Sequence, residues 1–483
     1  MRKRLNLAFL SLLLIPSLII GGCQDRNAAE KQQPADSTGE SKPQVLKVLY
    51  ATVEAGSEAI IDAAKKYEQQ TGIKIEIDTF PYNNLQEKVF SELAQKSDYY
   101  DLLAVDTPWM PKIIQHLEPL TSYMKNTKSP DVLRLDDFIA KVFLDTSVFQ
   151  KDAPHRQPPQ MDVIALDRIT SAGFDVWSLP IQSNVLTVSY RKDLFNDPKY
   201  KEEFRKQFNR DLEIPQTMDE YLEVAKFFTR DTNGDGKIDL YGTTLMAKKH
   251  EANFVDFKSF LSTFGGKVFD DNLKPVFNDE KGVKALETYG SWILQHKVTP
   301  PGVLTYTWDE VATVFGSGQV AMAMNYHNMK LDPKVQGGQA GYFMFPGVKE
   351  GDKIVRGPHF GSWGIAVNKY SKNKQAAYEL AEFLASPESQ KGYLQFNQHV
   401  TRISAYEASR SIADPGVREY YQVLGESLKV GVGRPRITNY DQVSEAVQIA
   451  ISEYLSGKKD AKTALDEAAK QVETLMRQAG YYK

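Results

Sequence analysis

Between residues 45 and 106 the chain alternates two kinds of apolar pattern, and that alternation limits its fold more than any other feature. Val45-Leu-Lys-Val-Leu-Tyr-Ala51 and the alternating stretch 73–79 have the short apolar spacing of strands. Residues 57–70 instead place Ile60, Ile61, Ala64 and Tyr67 at helical spacing, and Thr71-Gly72 ends the run. Residues 85–96 read as a second helix, and Tyr100-Asp-Leu-Leu-Ala-Val-Asp106 as a buried strand ending in an acid. Strand, helix, strand, helix, strand is the rhythm of a parallel sheet covered by helices, so the fold class is α/β.

The same reading predicts a strand over 185–190 and helices over 218–229, 280–296, 309–316, 374–385, 442–455 and 461–478. Residues 125–175 are rich in Pro, Asp, Lys and Gln and suggest one short helix near 136–143. No repeat of fixed short period occurs. The ~440 residues beyond the amino-terminal region exceed what one core usually supports, so at least two lobes are expected.

Ahead of this body lies a different kind of sequence. Arg2, Lys3 and Arg4 precede an apolar stretch, 7–20, broken only by Ser11 and Ser17, and Gly21-Gly22-Cys23 follows. The layout is that of a secretory signal, 1–22, too short to span a bilayer comfortably. Ile20-Gly21-Gly22-Cys23 resembles the bacterial lipobox, in which the cysteine becomes the acylated first residue of the mature chain. Cys23 is the sole cysteine of the 483 residues, so an acylated chain forms no disulfide and must hold by its core. Residues 24–44 lack Ile, Leu, Val and aromatics; with Cys23 they read as a lipidated flexible tether. Two acyl chains suffice for a stable membrane anchor. The expected location is extracytoplasmic. Losing three basic residues with the signal makes the chain more acidic than its formal −3, which argues against nucleic acid as a partner.

Tests for chemistry find little. G-x-S-x-G, H-E-x-x-H and P-loop signatures are absent, and His250-Glu251 lacks a second His four positions on. With 62 acidic residues a carboxylate pair is open on numbers alone, but no motif supports a hydrolase, and the chain reads as a non-enzyme. The sharpest local motif is Asp231-Thr-Asn233-Gly-Asp235-Gly236-Lys237-Ile-Asp239. Oxygen side chains at positions 1, 3, 5 and 9, Gly at 6, and Lys237 at the seventh position, which contributes a backbone carbonyl, match the start of a calcium loop. Position 12 is Gly242, where such loops place a bidentate Glu. Two readings stay open: a structural calcium ion, or an Asp/Asn/Gly turn held by side-chain to backbone bonds. No other cofactor is required.

Aromatic and polar residues gather at expected strand ends: Thr79-Phe-Pro-Tyr82-Asn, Asp106-Thr-Pro-Trp109 and Gly361-Ser-Trp363-Gly. In open α/β sheets ligands lie beyond the carboxyl ends of strands. Sugars offer an apolar ring face and a rim of hydroxyls, which aromatic plates with Asp, Asn and Arg would match. Each aromatic taken singly is more often core than platform.

Five segments in order resemble the extracellular solute-binding proteins of family 1, the sugar-importer lipoproteins of the maltose-binding type. They are Tyr100-Asp-Leu-Leu-Ala-Val-Asp-Thr-Pro-Trp-Met-Pro111, Trp177-Ser-Leu-Pro-Ile-Gln-Ser-Asn184, Ser189-Tyr-Arg-Lys-Asp-Leu-Phe195, Phe315-Gly-Ser-Gly-Gln-Val-Ala-Met-Ala-Met-Asn325 and Gly364-Ile-Ala-Val-Asn-Lys-Tyr-Ser-Lys-Asn-Lys374. The resemblance spans about 45 to 476, apart from an insertion at 125–160. It implies a two-lobed periplasmic-binding-protein fold, type II-like, whose hinge-connected lobes each hold a central sheet flanked by helices. Lobe one would be 45–181 and 325–363, lobe two 182–324 and 364–483, with crossings near 180–183, 324–326 and 363–366. It also implies a monomer that captures a carbohydrate, of oligosaccharide size, by hinge closure and delivers it to the transmembrane subunits of an ABC importer. A polyamine or phosphorylated solute, or a sensing role beside a surface receptor, are the alternatives. By the same analogy Glu54, Tyr82, Asp106 and Trp109 line lobe one. Asn184, Asn325, His327 and Trp363 lie at the crossings, and Arg402 and Arg434 or Tyr440 reach in from lobe two. Glu54 could instead cap the following helix, His327 could be a surface residue, and Trp109 could pack beneath its helix.

Overall fold

The computed structural model describes residues 43–52, 56–335 and 337–482. Cys23, the signal stretch, most of the tether and Glu54 lie outside the described residues. Within them, the expected α/β rhythm is present from the start. Val45–Ala51 pairs in parallel with Lys74–Phe80 along its whole length and with Leu102–Asp106 on its other edge. The helix Ser57–Thr71 buries Ala59, Ile60, Ala63, Ala64 and Tyr67 against this sheet and stops at Gly72, whose φ of 75° continues no right-handed helix.

Two further strands complete a five-stranded sheet. Phe360–Val367 runs antiparallel to Leu102–Asp106, and Leu179–Val185 antiparallel to Phe360–Val367. Every residue of Phe360–Val367 is buried, as a strand with neighbours on both edges and layers on both faces requires. Its register shifts between Trp363 and Gly364. A Cβ at Gly364 would lie 2.5 Å from Ser178 Oγ, so only glycine lets the strands approach there.

A second core surrounds a three-stranded antiparallel sheet in which Met322–Asn325 and Ala340–Met344 flank Thr187–Arg191. The pairing Thr187↔Asn325 and Thr187↔Met344 corrects the expected lobe limits. Residues 325–345 belong with lobe two, because the strands that carry them close the sheet around Thr187–Arg191. Residues 364–428 belong with lobe one, where Leu380, Tyr393, Tyr420 and Leu424 pack against its sheet; lobe two regains the chain at Ile437. Local patterns do not report which distant strand a segment pairs with, and that pairing decides the lobe.

The chain therefore crosses between cores at 185–187, 357–360 and 430–437, of which the first lies close to the expected 180–183. The three crossings lie side by side. Leu186 N–H donates to His359 O at 3.0 Å, Phe360 N–H to Val432 O at 3.2 Å, and Val432 N–H to Pro358 O at 2.8 Å. The stretch 125–175 and the residues just before it hold more structure than one short helix. Thr121–Lys125, Pro130–Leu133, Ala140–Ser147 and Leu166–Ser171 are helical, and Val148–Phe149 pairs with Asp175–Val176. No helix among the described residues is long and apolar enough to cross a membrane.

Candidate functional site

The two sheets point their ends at a cleft crossed by the three connecting segments. Lobe one presents Tyr82, from the first turn of the helix Tyr82–Ala94, with Asp106 and Trp363 from neighbouring strands in register with each other. Lobe two presents Glu251, the first residue of the helix Glu251–Thr263, and Trp308, the first residue of Trp308–Gly316. The Thr307–Glu310 capping box fixes where that last helix begins and so holds Trp308 at the cleft wall. Asn184 sits near the end of the strand Leu179–Val185, next to the first crossing, and His359 and Arg434 lie on the other two, with Tyr326 and His327 beside them. The space these residues enclose is about 60 Å³.

Arg434 ties the two walls together. Its Nη2 lies 2.5 Å from Asp106 Oδ1 on lobe one, and its Nη1 3.5 Å from Glu251 Oε1 on lobe two. The Arg434 side chain is 6% exposed, and an ion pair this dry persists only when its remaining atoms also have partners. Tyr82 donates its hydroxyl to Asp106 Oδ2 at 2.8 Å, Tyr440 donates to Glu251 Oε1, and Ser444 donates to Glu251 Oε2 at 2.5 Å. Burial pushes the Glu251 carboxyl above the usual range, against the pull of Arg434. Burial opposes the Arg434 charge too, but Asp106, Tyr440, Tyr82 and Glu251 outweigh it and hold the guanidinium protonated.

Aromatic rings form the rest of the wall. Tyr82 lies 5.9 Å from Trp363, 5.3 Å from Trp109 and, across the cleft, 6.1 Å from Trp308. Burial lowers the His359 imidazole well below its ordinary value, with Arg434 and Lys258 adding to the shift, so it is neutral. Its Nδ1 meets the Tyr326 hydroxyl at 2.9 Å while Nε2 has no partner among the described residues. Burial likewise lowers His327. At the rim, Gln86 Nε2 and Lys112 Nζ of lobe one reach the Asp441 carboxylate of lobe two at 3.1 and 3.3 Å. The arrangement suits a polyhydroxylated solute: flat apolar plates, two carboxylates, one guanidinium and neutral imidazoles.

Of the residues expected at the site, Tyr82, Asp106, Asn184, His327, Trp363 and Arg434 line the cleft together. Trp109 is one layer back, 1% exposed beneath Tyr82 and Trp363. Asn325 is also behind the wall, donating to Trp308 O at 2.8 Å and accepting from Tyr326 N–H at 2.7 Å. Arg402 is a correction. It belongs to lobe one, over the Phe138 ring at 3.4 Å, and its guanidinium donates to the carbonyls of Ala385, Leu133 and Arg134. Tyr440 reaches the site only through Glu251. Glu251, Trp308, Tyr326 and His359 complete the wall without having been expected there. Trp308 could have been found from its place directly after the Thr307 cap; Glu251 carried no signal beyond a failed zinc motif.

No residue of the loop Asp231–Asp239 lines the cleft, and the loop closes on itself. Asp231 accepts N–H bonds from Asn233, Gly234 and Gly236 at 3.0, 2.6 and 2.7 Å, Asn233 Oδ1 from Asp235 N–H, and Asp235 Oδ1 from Lys237 N–H. Asp239 takes the Thr232 N–H at 2.8 Å and hydroxyl at 3.0 Å. Among the described residues, no three His, Cys, Asp or Glu side chains are grouped so as to hold a metal.

Comparison with known proteins accounts for the fold. Residues 50–391 match the family model described as bacterial extracellular solute-binding protein. The "Probable amino-acid ABC transporter periplasmic-binding protein" of Sinorhizobium fredii is 23% identical over 90% of each chain. The galactooligosaccharide-binding protein of Bacillus subtilis is 25% identical over 61% of this chain and 69% of its own. Among solved structures, maltose-bound MalE3 of T. maritima superposes with a TM-score of 0.69 at 23% identity, over 89% of this chain and 99% of that one. A solute-binding protein of Agrobacterium radiobacter in complex with ribitol gives 0.69 at 22% identity, over 90% and 100%.

Proposed function

Because the chain belongs to the bacterial extracellular solute-binding proteins, we propose that it captures a carbohydrate between its lobes and delivers it to the membrane subunits of an ABC importer. The observation that carries this reading is the facing of Tyr82, Trp308 and Trp363 around the Asp106–Arg434–Glu251 cluster, all within one interlobe cleft. A sugar ring would stack on the aromatic faces while its hydroxyls bond the carboxylates and the guanidinium. Several names support it: the B. subtilis protein is named for a galactooligosaccharide, and two structural neighbours hold maltose and ribitol, while the S. fredii relative is named for an amino-acid transporter.

The space between the walls, about 60 Å³, is less than half the ~150 Å³ of a cavity that takes up a benzene ring, so a sugar would enter only as the lobes part and re-close. Bending at three adjacent crossings is the motion such an arrangement allows, and an importer that recognises the closed form would respond to loaded protein by population shift. The lipobox-like Cys23 completes the reading: the acylated chain would be tethered outside the membrane as a monomer, near its importer.

Thermal shift against mono- and oligosaccharides, polyols, amino acids and polyamines tests the cargo. A sugar at 100 times its Kd should stabilise the protein by about 2.7 kcal/mol. A response to amines or amino acids with none to sugars would replace the carbohydrate by a cationic cargo matched to Asp106 and Glu251.

A further inference from the structure

Arg434 lines a second cavity besides the cleft. This one, about 610 Å³, runs along the crossing segment Val432–Ile437, with Arg156 of the insertion on one side and Lys258 and Lys267 of lobe two on the other. Two of its cations are almost wholly buried. Lys258 is 3% and Arg436 4% exposed. The Lys258 ammonium donates one of its three N–H groups to Val432 O at 2.9 Å. The Arg436 guanidinium donates only to carbonyls, those of Pro154, Leu144, Asp145 and Val148, and lies 3.6 Å over the Phe149 ring. Among the described residues neither forms an ion pair with a carboxylate.

Buried cations are ordinarily paired, because the effective penalty for an unpaired ion is several kcal/mol. The acids nearby do not supply the pairing. Asp270 Oδ1 is taken by the N–H groups of Asn272 and Lys274 in its own turn, and Asp271 faces solvent beside Lys267. Asp145 lines a neighbouring, smaller cavity; it meets Arg436 through its backbone carbonyl, its carboxylate forms no ion pair with either cation among the described residues, and burial pushes that carboxyl upward. Burial brings Lys258 down to about 7, with Asp145 only partly opposing it.

We propose that this cavity is a second ligand site, which takes a free inorganic oxyanion of the phosphate or sulfate kind between Lys258 and Arg156 in the field of Arg436. Lys258 has two N–H groups to give, Arg156 offers an exposed planar fork, and tetrahedral oxyanions accept several such bonds at once. The bound anion would link a lobe-two helix, the insertion of lobe one and the crossing between them. Since Arg434 lines both cavities, occupancy of one would alter affinity at the other, and linkage makes that effect reciprocal.

The test is the melting temperature of the full chain in rising inorganic phosphate against chloride at equal ionic strength, near pH 6.5. A saturable rise specific to phosphate is expected, weakened roughly tenfold or more in affinity by Arg156→Ala and by Lys258→Met. The Trp308→Ala protein, impaired at the cleft, should keep the full phosphate response, which separates this site from the cargo site. Arg156 is exposed, so its variant folds even if Lys258→Met does not. No rise beyond chloride, or an equal rise in Arg156→Ala, overturns the proposal.

Discussion

Arg434 Nη2 and Asp106 Oδ1 lie 2.5 Å apart, one residue from the last crossing between lobes and the other from the end of a lobe-one strand. The same guanidinium meets Glu251 of lobe two at 3.5 Å. One buried side chain on the hinge thus contacts an acid from each wall of the cleft, so the relative position of the lobes and the charge state of the site are set together.

Arg434→Met should therefore cost more than one hydrogen bond. It would leave Asp106 and Glu251 buried without their cation, a change worth about 3–5 kcal/mol in comparable buried pairs. The expected outcome is a lower urea midpoint together with loss of sugar binding. Arg434→Lys should recover part of the stability but not the two-sided contact, because an ammonium lacks the planar fork.

The aromatic residues should divide by layer. Trp308→Ala, at a half-buried position facing the cleft, is expected to lower ligand affinity by about 2 kcal/mol or more, the cost of removing an aromatic anchor, with little change in melting temperature. Trp109→Ala, in the layer behind, should lose about 3–5 kcal/mol of stability. Calorimetric titration and thermal melts on the two variants read these effects separately.

Much of this was legible in the sequence, for identifiable reasons. Helices with one dry face, such as 57–70 and 461–478, declare themselves by spacing, and strand ends rich in aromatics pointed to Tyr82, Asp106 and Trp363, whereas Arg434 was reached only through the family resemblance. Glu251–Thr263 did not declare itself. Eleven of its residues are buried, including Asn253, Asp256, Lys258, Ser259 and Thr263, so no apolar stripe contrasts with a polar one. Glu251 and Lys258 were missed with it. Arg402 misled because a Thr-Arg loop reads the same whether its guanidinium turns toward solvent or onto three carbonyls.

Asp256, on that helix, gives a pH prediction. Burial pushes its carboxyl up to about 8, against only the Met246 N–H bond to Oδ2. Between pH ~4 and ~8 the unfolded chain has released this proton while the folded chain still holds it. The folded state then binds more protons, and stability falls as pH rises, by up to about 1.4 kcal/mol per unit. Asp256→Asn should remove that decline, so its urea midpoint relative to the parent rises from pH 5 to pH 8.

His399 contributes the opposite slope at lower pH. Burial, with His327 adding to it, brings its imidazole to about 3, and it stays neutral between Gln182 and the Tyr420 hydroxyl. As pH falls below 6.5 the unfolded chain takes up a proton that the folded chain refuses, and stability falls. His399→Gln should flatten the acid limb between pH ~6 and ~3 in the same denaturation series.

The loop Asp231–Asp239 should not need an ion. Its carboxylates already bond its own backbone, and Gly242, where a calcium loop has its last Glu, is held against Ala225: a Cβ there would lie 1.9 Å from Ala225 O. Melting temperatures in excess EDTA and in calcium should coincide. A fall in EDTA that Asp235→Ala reproduces would instead establish a structural calcium site.

Binding of a sugar between the lobes at the Arg434 cluster is tested most directly by tryptophan fluorescence titration, because Trp308 and Trp363 form the cleft wall. A saturable emission change with at least one mono- or oligosaccharide, abolished in Arg434→Met, is the predicted result. The contradicting result is no response to any sugar while amino acids or polyamines give one, or a sugar response that Arg434→Met leaves intact.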